Sequence, residues 1–128
     1  MHKGKASTDE LISYILEGIE EVKGQDIILM DLREIENTVC EYFVLCNGTS
    51  NTHVNAIVGS IQKTVSRASK DKPWHVEGTE NAEWVLLDYV NIVVHVFQKH
   101  VREFYDIEGL WGDAKFTEIE RSVNQSLK

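Results

Sequence analysis

Between residues 84 and 97 the chain is apolar at every position except Asp88, Asn91 and His95. Trp84-Val85-Leu86-Leu87-Asp88-Tyr89 and Ile92-Val93-Val94-His95-Val96-Phe97 are β-rich runs separated by Val90-Asn91, which reads as a hairpin. A two-residue loop sets Trp84 opposite Phe97, Leu86 opposite His95 and Asp88 opposite Val93 on one face. Val85, Leu87 and Tyr89 then oppose Val96, Val94 and Ile92 on the other. The second face is aliphatic and suited to covering helices. The first mixes large aromatics with a carboxylate and an imidazole, a make-up that suits a partner surface. The loop is the doubtful element, because a β-branched residue such as Val90 tolerates positive φ badly and disfavours a type I′ turn. A wider loop would shift the register and exchange the faces.

The remaining periodicity predicts the other elements. Ser7-Thr8-Asp9-Glu10 has the form of a capping box. The stripe Leu11, Ile12, Ile15, Leu16, Ile19 and Val22 follows at helical spacing, with Gly24 placed to stop the helix near residue 23. Asp26–Leu32 and Tyr42–Cys46 read as buried strands. Asn47-Gly48-Thr49-Ser50-Asn51 ends the second strand and caps a helix striped by Val54, Ile57, Val58, Ile61 and Val65. Trp74–Glu77 is a short strand after the loop Lys70–Pro73. Short helical turns are expected from Val101 to Trp111, broken at Gly109 and Gly112. Phe116, Ile119, Val123 and Leu127 then mark a last amphipathic helix. The expected architecture is one α/β (α+β) domain, a mixed five-stranded sheet with helices mainly on one face. Its free face should bear Trp84, Leu86, Asp88, His95 and Phe97. Residues 1–6 form a flexible start, 7–112 the domain and 113–128 a helical C-terminal extension.

Composition narrows the function classes. A chain of 128 residues with 42% hydrophobic and 27% charged residues is ordinary for a globular domain. The net charge of −8 argues against a nucleic-acid binder held by phosphate contacts and suits a basic protein partner. No apolar run is long enough to span a membrane. The basic start, Met1 to Lys5, leads into no signal-peptide core, so a cytoplasmic product is expected. Cys40 and Cys46 make neither a disulfide framework nor a metal-ligand pair, and the five histidines show no zinc spacing,. No cofactor is expected.

Gly48-Thr49-Ser50, between strand and helix, admits two readings. It can grip a phosphate at a helix N-terminus, as in a nucleotidyltransferase, or it is a capped strand-to-helix turn. The paired carboxylates that such an enzyme uses to hold metal ions are missing, because Asp26, Asp31, Glu77 and Asp88 fall on separate strands. His53 reads as a surface or capping group. His95, with Asp88 on the same face, takes either a buried structural role or a binding role, and no nucleophile accompanies it. Arg102, Tyr105, Leu110 and Trp111 either pack on the sheet or extend its edge. Trp84, flanked by Glu83 and close to Asp88, has the make-up of an apolar anchor with an acidic rim.

Tyr42–Val54, Glu77-Gly78, Glu83–Tyr89, Val93–Phe97, Arg102, Phe104-Tyr105 and Leu110-Trp111 together resemble the ribosomal silencing factor (Iojap-like) family across roughly residues 7 to 112. The resemblance implies a nucleotidyltransferase-like sheet without catalytic residues. It also implies docking on ribosomal protein L-fourteen of the large subunit, which blocks subunit joining and represses translation when nutrients are short. It places the interface tryptophan on Trp84, the acidic position on Asp88 and the strand histidine on His95. Leu86, Phe97, Arg102 and Tyr105 complete the expected partner-binding set. The family's usual Gly-Asp at the hairpin is Val90-Asn91 here, so one acidic group is lost. The alternatives are a nucleotidyltransferase using Gly48-Thr49-Ser50 and a homodimeric scaffold using the same sheet face.

Overall fold

Ser7 caps the first helix, α1 (Thr8–Glu21). Its hydroxyl accepts from the Glu10 N–H while the Glu10 carboxylate accepts from the Ser7 N–H. The computed structural model in which this is seen describes residues 6–38 and 40–119. The helix closes with paired bonds, Lys23 N–H to Glu20 O and Gly24 N–H to Ile19 O, the pattern of a Schellman stop. Lys23, not Gly24, takes the left-handed conformation, at φ 61°. Gly24 answers a different need: a Cβ there would stand 2.4 Å from Ile19 Cγ2.

The chain continues as β1 (Gln25–Asp31), β2 (Tyr42–Gly48), α2 (Asn51–Ala68), β3 (His75–Glu77), β4 (Trp84–Asp88) and β5 (Ile92–Gln98). Then come α3 (Lys99–Tyr105), α4 (Ile107–Leu110) and β6 (Lys115–Glu118). The strands form one sheet in the order β3-β4-β5-β2-β1-β6. Only β2 and β5 run parallel; every other neighbouring pair is antiparallel. This is the mixed α/β domain expected, with six strands instead of five among the described residues.

The sixth strand replaces the start of the expected C-terminal helix. Lys115–Glu118 pairs with β1, Phe116 opposite Met30 and Thr117 opposite Leu29. The unpaired backbone edge of β1 offers these residues a hydrogen-bond ladder that a four-residue helix would not supply. Val123 and Leu127 lie outside the described residues. The helices are also less one-sided than expected. The amphipathic α1 and α2 cover one sheet face, where Ile15, Ile19, Ile57, Ile61, Val85, Leu87, Val94 and Val96 form the main core. A smaller core on the other face joins Met30, Leu45, Val93 and Phe97 to Val101 of α3 and Ile107 of α4.

The hairpin has the register that a two-residue loop predicts, Trp84 opposite Phe97, Leu86 opposite His95 and Asp88 opposite Val93. The turn is made by a γ-turn-like bond from Asn91 N–H to Tyr89 O, with Val90 at φ 77°. The expected objection to positive φ at Val90 is therefore met at this one residue, where the strain is held and not avoided. Asp88 Oδ1 accepts from the Val90 N–H at 2.8 Å, and Asn91 O accepts from the N–H groups of Glu41 and Tyr42. These bonds pin the loop against β2.

Candidate functional site

Strand alternation sends Trp84, Leu86 and Asp88 of β4 and Val93, His95 and Phe97 of β5 to the sheet face opposite α1 and α2,. Parallel pairing brings Phe43 beside Val93 and Leu45 beside His95. The aromatic members gather into one cluster. Trp84 stacks on Phe97 with ring centroids 5.0 Å apart, and Tyr105 lies 4.9 Å from the indole on another side. Phe43 meets His95 edge-on at 4.6 Å and Trp111 edge-on at 5.5 Å.

One hydrogen bond orders the cluster. The Trp84 indole N–H donates to His95 Nδ1 at 3.1 Å. An indole only donates, so Nδ1 is the acceptor and the proton of the neutral imidazole resides on Nε2. His95 is 5% exposed. Burial holds its pKa down to about 4, because the cation would lose its hydration. Nε2 is buried without a hydrogen-bond partner among the described residues. His95 is thus a neutral ring that orients Trp84.

The open face carries fewer of the expected residues than alternation alone suggests. Trp84, Leu86 and Asp88 are half-buried, whereas Phe97 is completely buried and His95 nearly so. Trp84 roofs Phe97, and Val101 of α3 packs into the same cluster. Arg102 is corrected in the same way. At 7% exposure it is a clasp under the surface. Nη1 donates to Asp26 O and to Asn47 Oδ1, each at 2.7 Å, while Nε and Nη2 donate to Glu108 Oε2 at 3.2 and 2.8 Å. The guanidinium ties the last turn of α3 and the start of α4 to β1 and β2, fixing Tyr105 beside Trp84. Tyr105 is 49% exposed.

Two features escaped the sequence reading. Phe43 looked like an ordinary core residue, yet it is half-buried on the aromatic face; its pairing with Val93, the signal for that placement, depends on a parallel strand distant in sequence. Phe104 is exposed beside Tyr105, and Leu110, read from the sequence as either packing on the sheet or extending its edge, is exposed as well. The patch is therefore apolar and aromatic, with Asp88 at one edge.

The Gly48-Thr49-Ser50 turn is occupied by its own chain. Ser50 Oγ accepts from the His53 N–H, and His53 Nδ1 accepts from the Thr49 N–H at 2.9 Å. The ring's Nε2–H then donates to Val22 O at 2.8 Å. His53 is a staple between the end of α1 and the start of α2, and the Thr49 amide faces an imidazole. Among the described residues no group of His, Cys, Asp and Glu is arranged to hold a metal ion. Cys40 and Cys46 are free and buried, and burial pushes their thiols up to about 11 and about 12. No helix is long and apolar enough to cross a membrane among the described residues.

The profile of the family described as "Ribosomal silencing factor during starvation", RsfS, matches residues 5–128. The ribosomal silencing factor RsfS of Halalkalibacterium halodurans is 33% identical over 118 residues, 92% of this chain and 99% of that protein. A crystal structure of a Chromobacterium violaceum protein superposes with a TM-score of 0.78 at 36% identity, covering 84% of this chain and 88% of that one. A more distant relative, the mouse protein named mitochondrial assembly of ribosomal large subunit protein 1, is 32% identical over 73 residues, 56% of this chain and 32% of its own length. The chain belongs to the ribosomal silencing factor RsfS family.

Proposed function

We propose that this protein is a non-enzymatic translation repressor that docks on the large ribosomal subunit through ribosomal protein L-fourteen and there blocks the small subunit from joining. The observation that carries the reading is the half-open aromatic patch on the sheet, with Trp84 oriented by His95 and flanked by Leu86 and Tyr105. Such a patch has the anatomy of a protein interface: a preorganised aromatic anchor, apolar neighbours and a charged rim. Asp88 and Glu83 supply acidic groups at that rim, complementary to a basic ribosomal protein. Family membership and the relatives' names support a ribosomal target. Phe97, His95 and Arg102 act from beneath, by holding the anchor and the α3–α4 segment in place. Co-sedimentation with separated ribosomal subunits tests the assignment. Comigration with large subunits, and exclusion of small subunits added afterwards, is expected. Comigration with neither subunit, or unimpaired joining, would contradict it.

A further inference from the structure

The net charge of −8 hides a segregated surface. Residues 49–76 hold four of the chain's 13 Lys and Arg side chains but only one of its 21 Asp and Glu. The four are Lys63 and Arg67 on α2 and Lys70 and Lys72 in the loop that follows, all exposed. None is in an ion pair with a described side chain. The single acid, Asp71, is engaged: its Oδ2 accepts from the Ala6 N–H at 2.8 Å and from the Ser69 hydroxyl at 2.9 Å. Glu17 and Glu21 of α1 line the groove that holds Lys63 and Arg67. Lys70 and Lys72 flank Asp71, whose carboxylate is turned to the neutral Ala6 N–H and Ser69 hydroxyl, so the loop keeps a net positive charge.

A second groove, of about 540 Å³, runs beside this loop and is lined by Lys63 and Lys72, by Gln62, Ser66, Pro73 and Val76, and by the one acid of the segment, Asp71. Immediately after it stands Trp74, 80% exposed, with no ring contact among the described residues. Its backbone is nevertheless fixed, because the Trp74 N–H donates to Asp88 O. A large apolar ring held out in water beside unpaired cations and a polar groove is an arrangement suited to single-stranded nucleic acid. Cations track the phosphates and an aromatic face stacks an unpaired base. The bond to Asp88 also makes this edge continuous with the rim of the aromatic patch.

We propose that Lys63, Lys70, Lys72 and Trp74 form a second contact, to an unpaired segment of RNA. This deepens the docking reading and rests on it: β3 neighbours β4 in the sheet, so an RNA contact at Trp74 would adjoin the Trp84 face. Such a contact departs from the expectation drawn from the net charge of −8, which argued against binding held by phosphate contacts, because the cations of this segment are set apart from most of the acids. Phosphate contacts of this number predict weak binding that falls steeply with salt.

The test uses the full chain and a fluorescent mixed-sequence single-stranded RNA of about twelve nucleotides, a length that covers one such site. Anisotropy is read at about 50 and about 200 mM salt. Wild type and Trp84→Ala should bind alike. Lys70→Glu/Lys72→Glu should lose binding, and Trp74→Ala should weaken it about tenfold. Absence of binding by the wild type at low salt, unchanged binding by the charge-reversed variant, or equal displacement by poly-glutamate would overturn the proposal. Large-subunit binding, measured in parallel, separates the two readings. If subunits are not bound while RNA binding follows the pattern above, the docking reading fails and the RNA contact stands.

Discussion

The Trp84 indole donates to His95 Nδ1 across the diagonal of the β4–β5 pair, at 3.1 Å. The imidazole can accept that bond only while neutral, and its burial keeps it neutral. Anchor orientation and the protonation state of a buried ring are thus one property.

This coupling fixes the acid behaviour of the fold. His95 has a folded pKa of about 4, below its unfolded value, so the unfolded chain binds the extra proton and acid favours unfolding. Its contribution should fall by about 3 kcal/mol as pH drops from about 6.5 to about 4, and level off below that. Urea unfolding of wild type and His95→Leu across this range measures it. The stability difference between them should shift in favour of the variant as pH falls, and a constant difference would disprove the assignment.

The hairpin loop stores strain at one position. Val90 is β-branched and sits at φ 77°. Val90→Gly relieves that conformation at some cost in chain entropy, and should raise stability by about 1 kcal/mol. The denaturant midpoint should rise with an unchanged slope. A drop in midpoint would mean that the valine side chain contributes more than its backbone costs.

Arg102 should behave as a buried clasp. Arg102→Ala leaves the Glu108 carboxylate, Asn47 and the Asp26 carbonyl without these hydrogen bonds, and should destabilise by about 3 kcal/mol. Chemical denaturation checks this. A cost near zero would return Arg102 to the surface.

Helix contact is tightest at Gly18. A Cβ there would stand 2.8 Å from Ile61 Cα and 3.0 Å from Ser60 O, and the Ser60 hydroxyl donates to Gly18 O at 2.6 Å. Gly18→Ala should therefore force α1 from α2 and cost about 2 kcal/mol, although alanine is the better helix former. A stabilised variant in thermal unfolding would show that the helices have room to part.

These features differ in how far residue order reveals them. The hairpin register was legible because a two-residue loop at Val90-Asn91 fixes the pairing, setting Trp84 opposite Phe97 and Leu86 opposite His95. The Ser7–Glu10 box was legible because its bonds join residues three apart. Arg102 was not, since its burial depends on Asp26 and Asn47, contributed by strands far away in the chain. Nor was Lys115–Glu118, where four residues carry too little pattern to outweigh the helical spacing of Phe116 and Ile119. The exposed Trp74 lies between, for the sequence marks the loop but not which way its ring ends up.

Affinity for isolated ribosomal protein L-fourteen tests the central claim most directly. Titration calorimetry would compare wild type with Trp84→Ala and with Leu86→Glu, which alters the half-exposed neighbour and leaves Phe97 covered. Both variants should remain folded and lose at least about 30-fold in affinity, the equivalent of about 2 kcal/mol. Wild-type affinity in both folded variants would contradict docking through this face.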